Sequence, residues 1–198
     1  MQRLEQAFGG EMIRRRQAMI ATASLLATRS SAAQVRIDNL PPPIFDSVRD
    51  GDAEEVREFL IRGESPNQIN RREVPLLVAA AEAGRPKVMQ VILEFGPLLE
   101  LTDPQGNTAL IVAAKRGHKA MVELLLSRKV RIDTQNRTGS TALIEAATAG
   151  HETVVQVLLQ AGADFALTDY AGHTALSSAR AYGHQDIQAI LIKAGARK

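Results

Sequence analysis

Apolar positions recur along the chain at helical spacing, in short blocks that come in pairs. Leu110, Ala113 and Ala114 fall on one face of a short helix, and Val122, Leu125 and Leu126 on one face of the next. Val155, Leu158 and Leu159 repeat the second block. The spacing predicts pairs of short helices, the first thin because much of its apolar face is alanine. Polar stretches such as Asp169-Tyr-Ala-Gly-His-Thr-Ala-Leu176 separate the pairs. Their Asp and Gly suit a tight turn with positive φ, Thr174 is placed to cap the helix that follows, and Gly117 is placed to end a first helix. A single pair has an apolar side that it cannot cover alone, and stacking on a neighbour covers it.

The blocks repeat with a fixed period. Gly106, Gly139 and Gly172 lie 33 residues apart, as do Thr108, Thr141 and Thr174; Leu110, Leu143 and Leu176; and His118, His151 and His184. A longer glycine series runs through Gly51, Gly84, Gly117, Gly150 and Gly183. In length, order and content, Asp103-Pro-Gln-Gly-Asn-Thr-Ala-Leu-Ile-Val-Ala-Ala-Lys-Arg-Gly-His118 and Gly150-His-Glu-Thr-Val-Val-Gln-Val-Leu-Leu-Gln-Ala-Gly-Ala-Asp164 resemble the ankyrin repeat. The resemblance covers roughly residues 44 to 195. It implies an all-α ankyrin solenoid of stacked helix-turn-helix units with hairpin-like loops and a concave face used for partners. About five repeats are expected in a domain over 44–198, at 44–69, 70–102, 103–135, 136–168 and 169–198.

Departures from the family pattern carry their own expectations. Ile111, Ile144 and Ser177 stand where the family often has histidine, so a hydrogen bond usual in ankyrin turns is expected to be missing. Glu73 and Pro75 replace Gly and Thr in the second unit, which predicts an altered turn there, and Lys129 replaces a terminal glycine. The first unit is of the polar kind found at solenoid ends, and the last carries Arg180 at an inner position, so both read as caps.

Residues 1–33 break the pattern. Arg14-Arg15-Arg16 precede a ten-residue run, Ala18 to Ala27, and small residues at Ser31 and Ala33 stand before Gln34. This is the order of a bacterial secretory signal, and it predicts a periplasmic or secreted mature protein. Together with the repeats, it is similar to the small exported ankyrin proteins of bacteria. The run is shorter than the roughly 20 residues of a membrane span, so no stable insertion is expected once the leader is cleaved. Met12 is an alternative start, and the paired arginines also permit twin-arginine export. The alternatives are an uncleaved tail on a cytoplasmic protein and, third, a mitochondrial presequence, because the stretch is rich in Arg, Ser and Ala. Residues 34–43 end in Leu40-Pro41-Pro42-Pro43 and read as a stiff linker whose last proline can open the first helix.

Composition and charge narrow the function. Aromatics make up 4% of the chain and there is no Trp, so the core must be built from Ala, Leu, Val and Ile. The absence of cysteine removes disulfides, thiolate metal sites and a Cys nucleophile. The pI of about 9.1 invites a nucleic-acid reading. Residues 1–33, however, hold five of the 24 Lys and Arg and two of the 22 Asp and Glu, which leaves 19 against 20 in the rest. A body with a net of −1 lacks the positive excess that neutralises a phosphate backbone, so nucleic acid is not expected as a partner.

No cofactor, metal or catalysis is expected. His118, His151 and His184 are in register, but ligands of one zinc must come within about 2.1 Å of it. Equivalent residues of stacked helices sit about 8 to 10 Å apart. They read as turn residues bonding to nearby backbone. No Gly-rich phosphate loop precedes a strand, and no Gly-x-Ser-x-Gly elbow is present. Asn136-Arg-Thr138 fits a glycosylation sequon, yet the turn register already accounts for its Asn.

Recognition residues are sought where the repeat leaves side chains free to vary. At the loop tips these are Arg71 and Arg72, Gln105 and Asn107, Arg137 and Thr138, and Tyr170 and His173. Tyrosine is enriched at binding hot spots, although Tyr170 and His173 also fit a satisfied surface pair. On the inner face of the first helices Lys115, Arg116 and Tyr182 are the candidates, beside Glu82, Val112, Glu145, Thr148 and Ser178. Arg72, Lys115, Arg116 and Arg137 make part of this set basic, which suits an acidic patch on a partner or simply a solvated face. The expected function is a monomeric, non-catalytic scaffold for another protein. A small-ligand or metal-binding accessory protein is the alternative.

Overall fold

The computed structural model describes residues 43–197. The leader read over 1–33 and the linker ahead of Pro43 lie outside them. The described residues form ten helices in five consecutive pairs, with no strand among them. The pairs are α1 (Pro43–Asp50) and α2 (Ala53–Ile61), α3 (Leu76–Ala83) and α4 (Pro86–Glu94), α5 (Ala109–Lys115) and α6 (Lys119–Leu126), α7 (Ala142–Ala149) and α8 (Glu152–Gln160), and α9 (Ala175–Ala181) and α10 (Gln185–Lys193).

First helices pack on first helices in one row, and second helices on second helices in another. The first row can close up because Ala80, Ala81, Ala113, Ala114, Ala146, Ala147 and Ala179 are fully buried and extend no further than Cβ. Larger side chains fill the space between the rows, among them Leu76, Ile92, Leu125, Leu143, Leu158 and Leu191, all essentially inaccessible. Each such side chain contributes about 1.5 to 3 kcal/mol by burial. Ile44, Phe45 and Val48 of α1 join the same core, and Arg57 pairs with Glu94 at 2.7 Å, tying α2 to α4.

Local chemistry starts and stops the helices as the repeat requires. Thr108, Thr141 and Thr174 each accept a backbone amide three residues on, from Ile111 (3.4 Å), Ile144 (3.3 Å) and Ser177 (3.1 Å). In the fifth unit the Ser177 hydroxyl accepts in turn from the Thr174 amide at 2.9 Å, which completes a capping box. The bond expected to be missing is therefore replaced there, while Ile111 and Ile144 leave a one-way cap.

The second turn corrects another expectation. Glu73 takes the left-handed conformation (φ 58°) that Gly106, Gly139 and Gly172 take in their turns, and its amide donates to Asn70 O at 2.9 Å. The turn keeps its shape and carries the strain, about 1 to 2 kcal/mol for a residue with Cβ. Lys129 is likewise left-handed (φ 58°) in place of its glycine.

Candidate functional site

Four successive turns are built on one side-chain device. Asn70, Asp103, Asn136 and Asp169 each accept two backbone amides through one oxygen, from Arg72 and Val74, Gln105 and Asn107, Thr138 and Ser140, and Ala171 and His173. Their own amides close each loop onto the carbonyls of Val74, Asn107, Ser140 and His173 at 2.9 to 3.0 Å. Asx side chains and main chain suffice for the turn. Side chains at the tips are left exposed: Arg71, Arg72, Gln105, Arg137, Thr138, Tyr170 and His173.

Adjacent tips are also joined to each other. The Arg137 amide donates to Gln105 O at 3.0 Å, and the Tyr170 amide to Thr138 O at 2.9 Å. The equivalent position one unit earlier is Pro104, which has no N–H, so the ladder stops there. This explains where glycine is needed. A Cβ on Gly106 would lie 2.8 Å from Arg137 N, and one on Gly139 would lie 2.7 Å from Tyr170 N. Glu73 takes the corresponding place only where the ladder is broken.

Two predicted features belong to the framework. Asn107 is half-buried; its amide donates to Asp103 Oδ2 and its carbonyl oxygen accepts from Asn136 Nδ2, both at 2.9 Å. Asn136, the sequon asparagine, is buried and bonded at both ends of its amide. Asn107 is thus a link between turns rather than a free contact residue.

Two of the aligned histidines bond to backbone, as expected of turn residues, and the backbone they reach belongs to the neighbouring unit. His151 Nε2 lies 3.0 Å from Lys115 O and His184 Nε2 lies 3.1 Å from Thr148 O, in each case a carbonyl of the preceding unit. A carbonyl can only accept, so each ring carries its proton on Nε2. The rings of His118, His151 and His184 lie over Gly84, Gly117 and Gly150, where a Cβ would come within 2.6 to 2.7 Å.

On the inner face the structure corrects the charge argument. Arg116 pairs with Glu82 at 2.8 Å and Lys115 with Glu145 at 3.2 Å, each across a unit boundary. These two cations are neutralised in place and do not extend the positive charge of Arg72 and Arg137. Val112 and Ser178 are buried, whereas Tyr182 is 65% exposed and stacks on His184 with ring centres 6.5 Å apart.

Two grooves gather most of the remaining candidates. One of about 710 Å³ is lined by Phe45, Val48, Arg71, Arg72, Val74 and Glu82 among others. The other, of about 310 Å³, brings Thr138, His173 and Tyr182 together with Glu145, Thr148, Asp169 and Ser178. Gln105, Lys115, Arg116, Arg137 and Tyr170 line neither. Asp169 is held below the ordinary carboxylate range, chiefly by the hydrogen bond from the His173 amide, then by the His173 ring at 3.2 Å and the Ala171 amide. Sequence reasoning placed Glu145 on the inner face but missed its pairing. The available signal was opposite charge on the facing helices of neighbouring units.

Among the described residues no group of three or more His, Cys, Asp or Glu is placed to hold a metal, and no helix is long and apolar enough to cross a membrane. A family model described as ankyrin repeats (3 copies) matches residues 44–136 and again 128–198. A comparison with curated proteins gave no match. Ankyrin repeats are in general non-catalytic modules that bind other proteins. With paired helices, projecting turns and this match over most of its length, the chain belongs to the ankyrin repeat family.

Proposed function

We propose that this protein is a binding scaffold that holds a partner protein through its loop tips and the first-helix face, with no catalysis of its own. The observation that carries the reading is the division of labour in the turns. Asx side chains and main chain hold each loop, so Arg72, Arg137 and Tyr170 project without a role in keeping its shape. Tyr170 is 75% exposed, the kind of aromatic that dominates binding energies when covered. With Lys115 and Arg116 neutralised, an acidic stretch of the partner is met at the tips, by Arg72 and Arg137. Substituting Arg72, Arg137 and Tyr170 together with alanine abolishes cross-linked capture of the partner from the native source while helical circular dichroism is unchanged. Undiminished capture would place the surface elsewhere.

We further propose that residues 1–33 act as an export leader, on the strength of the basic start, short apolar run and small residues before Gln34. Mass spectrometry of the protein from its source then finds a chain beginning at Gln34, and an intact Met1 or Met12 overturns this.

A further inference from the structure

We infer that the smaller groove, between the fourth and fifth units, is a socket for a cationic side chain of the partner protein, with an arginine as the fitting occupant. The inference rests on the scaffold reading and specifies what one part of the surface takes. Formal charge in the groove lining comes from Glu145 and Asp169, and the lining contains no Lys or Arg. Its volume, about 310 Å³, lies at the small end of ligand pockets, which suits one long side chain and not a folded element.

The surroundings point the same way. Ile144 and Ala181 offer apolar wall to the methylene stem, and the Tyr182 ring offers a π face on which a guanidinium can rest. Glu145 is only 14% exposed at its side chain, and Lys115 contacts its Oε2. Its Oε1 has no partner among the described residues. Because no fully buried side-chain oxygen among the described residues lacks a hydrogen-bond partner, that Oε1 is not completely sealed. A carboxylate accepts several hydrogen bonds, so a second cation can share Glu145 with Lys115. Arg137 does not line the groove, its Cγ packing over Gly106, and His173 occupies only Asp169, at 3.2 Å, so Glu145 is the carboxylate left for the cation.

The test is a titration followed by backbone amide shifts, using a glycine-flanked arginine pentapeptide and its neutral citrulline twin. The arginine peptide produces saturable shifts at Thr148, Ser178 and Tyr182, and the citrulline peptide does not. Glu145→Gln weakens the apparent affinity at least about tenfold, while Lys115→Met, which removes the competing cation and keeps Glu145, strengthens it. Equal responses to the two peptides, no saturation with either, or indifference to Glu145→Gln overturns the socket. None of those results bears on capture through Arg72, Arg137 and Tyr170, so the two proposals fail separately.

Discussion

At Gly150 the backbone is left-handed (φ 81°), and a Cβ would lie 2.7 Å from the His184 ring. Gly63 is also left-handed (φ 97°) but has open space around it. Alanine at Gly63 costs about 1 to 2 kcal/mol for conformation alone. At Gly150 the displaced ring raises this to about 2 to 4 kcal/mol, and urea unfolding of the two variants separates the contributions. The reverse change, Lys129→Gly, raises stability by about 0.5 to 1 kcal/mol, because relief of left-handed strain exceeds the freedom that glycine adds to the unfolded chain. Asp169 makes a prediction of different kind. Its folded pKa is depressed, so its contribution is present above the unfolded value of about 3.9 and is lost as pH falls through the lower folded value. The His173 amide signal therefore keeps its native position at pH 4 and moves only in stronger acid. A midpoint at the ordinary carboxylate value would show that the turn does not hold the charge.

Each helix pair is an incomplete element that buries its apolar side only in the stack. Leu125 of α6 is fully buried, so Leu125→Ala costs about 2 to 5 kcal/mol through lost burial and the cavity left behind. Lys115 is more than half exposed and makes one ion pair, and Lys115→Ala costs far less. Equal costs would mean that the faces have been misassigned. The helices and their Thr caps were legible because they are encoded within a few residues, as apolar spacing and a hydroxyl three positions before the amide it accepts. The second turn was not, since Glu73 is a poor residue for the conformation that the Asn70 bonds and the packing of α3 impose on it. Ser177 replaces the family's histidine, and a serine three residues after a capping threonine is itself the signal of a capping box.

Across the whole molecule, links between units are uneven. The third, fourth and fifth units are joined by the tip ladder and by His151 and His184. Between the second and third units Pro104 cannot donate, and His118 makes no bond to the corresponding carbonyl of Glu82 among the described residues. That leaves the exposed Arg116–Glu82 pair and the bonds from Arg131 N and Thr134 Oγ1 to Glu100. In a solenoid, stability is a sum of units and nearest-neighbour interfaces. Amides of α1 to α4 therefore exchange before those of α5 to α10 in native-state hydrogen exchange, and uniform protection would show that the missing bonds do not matter. The sequence by itself determined the period, the helix pairs, and the turns and Thr caps of the third, fourth and fifth units, because each is written in spacing along the chain. Only the tertiary structure decided which charges remain unpaired, that Asn107 is framework, and that Thr138, His173 and Tyr182 share a groove with Glu145 and Asp169. Those relations join residues about one repeat apart or more, and their distances are set by how closely alanine-faced helices stack.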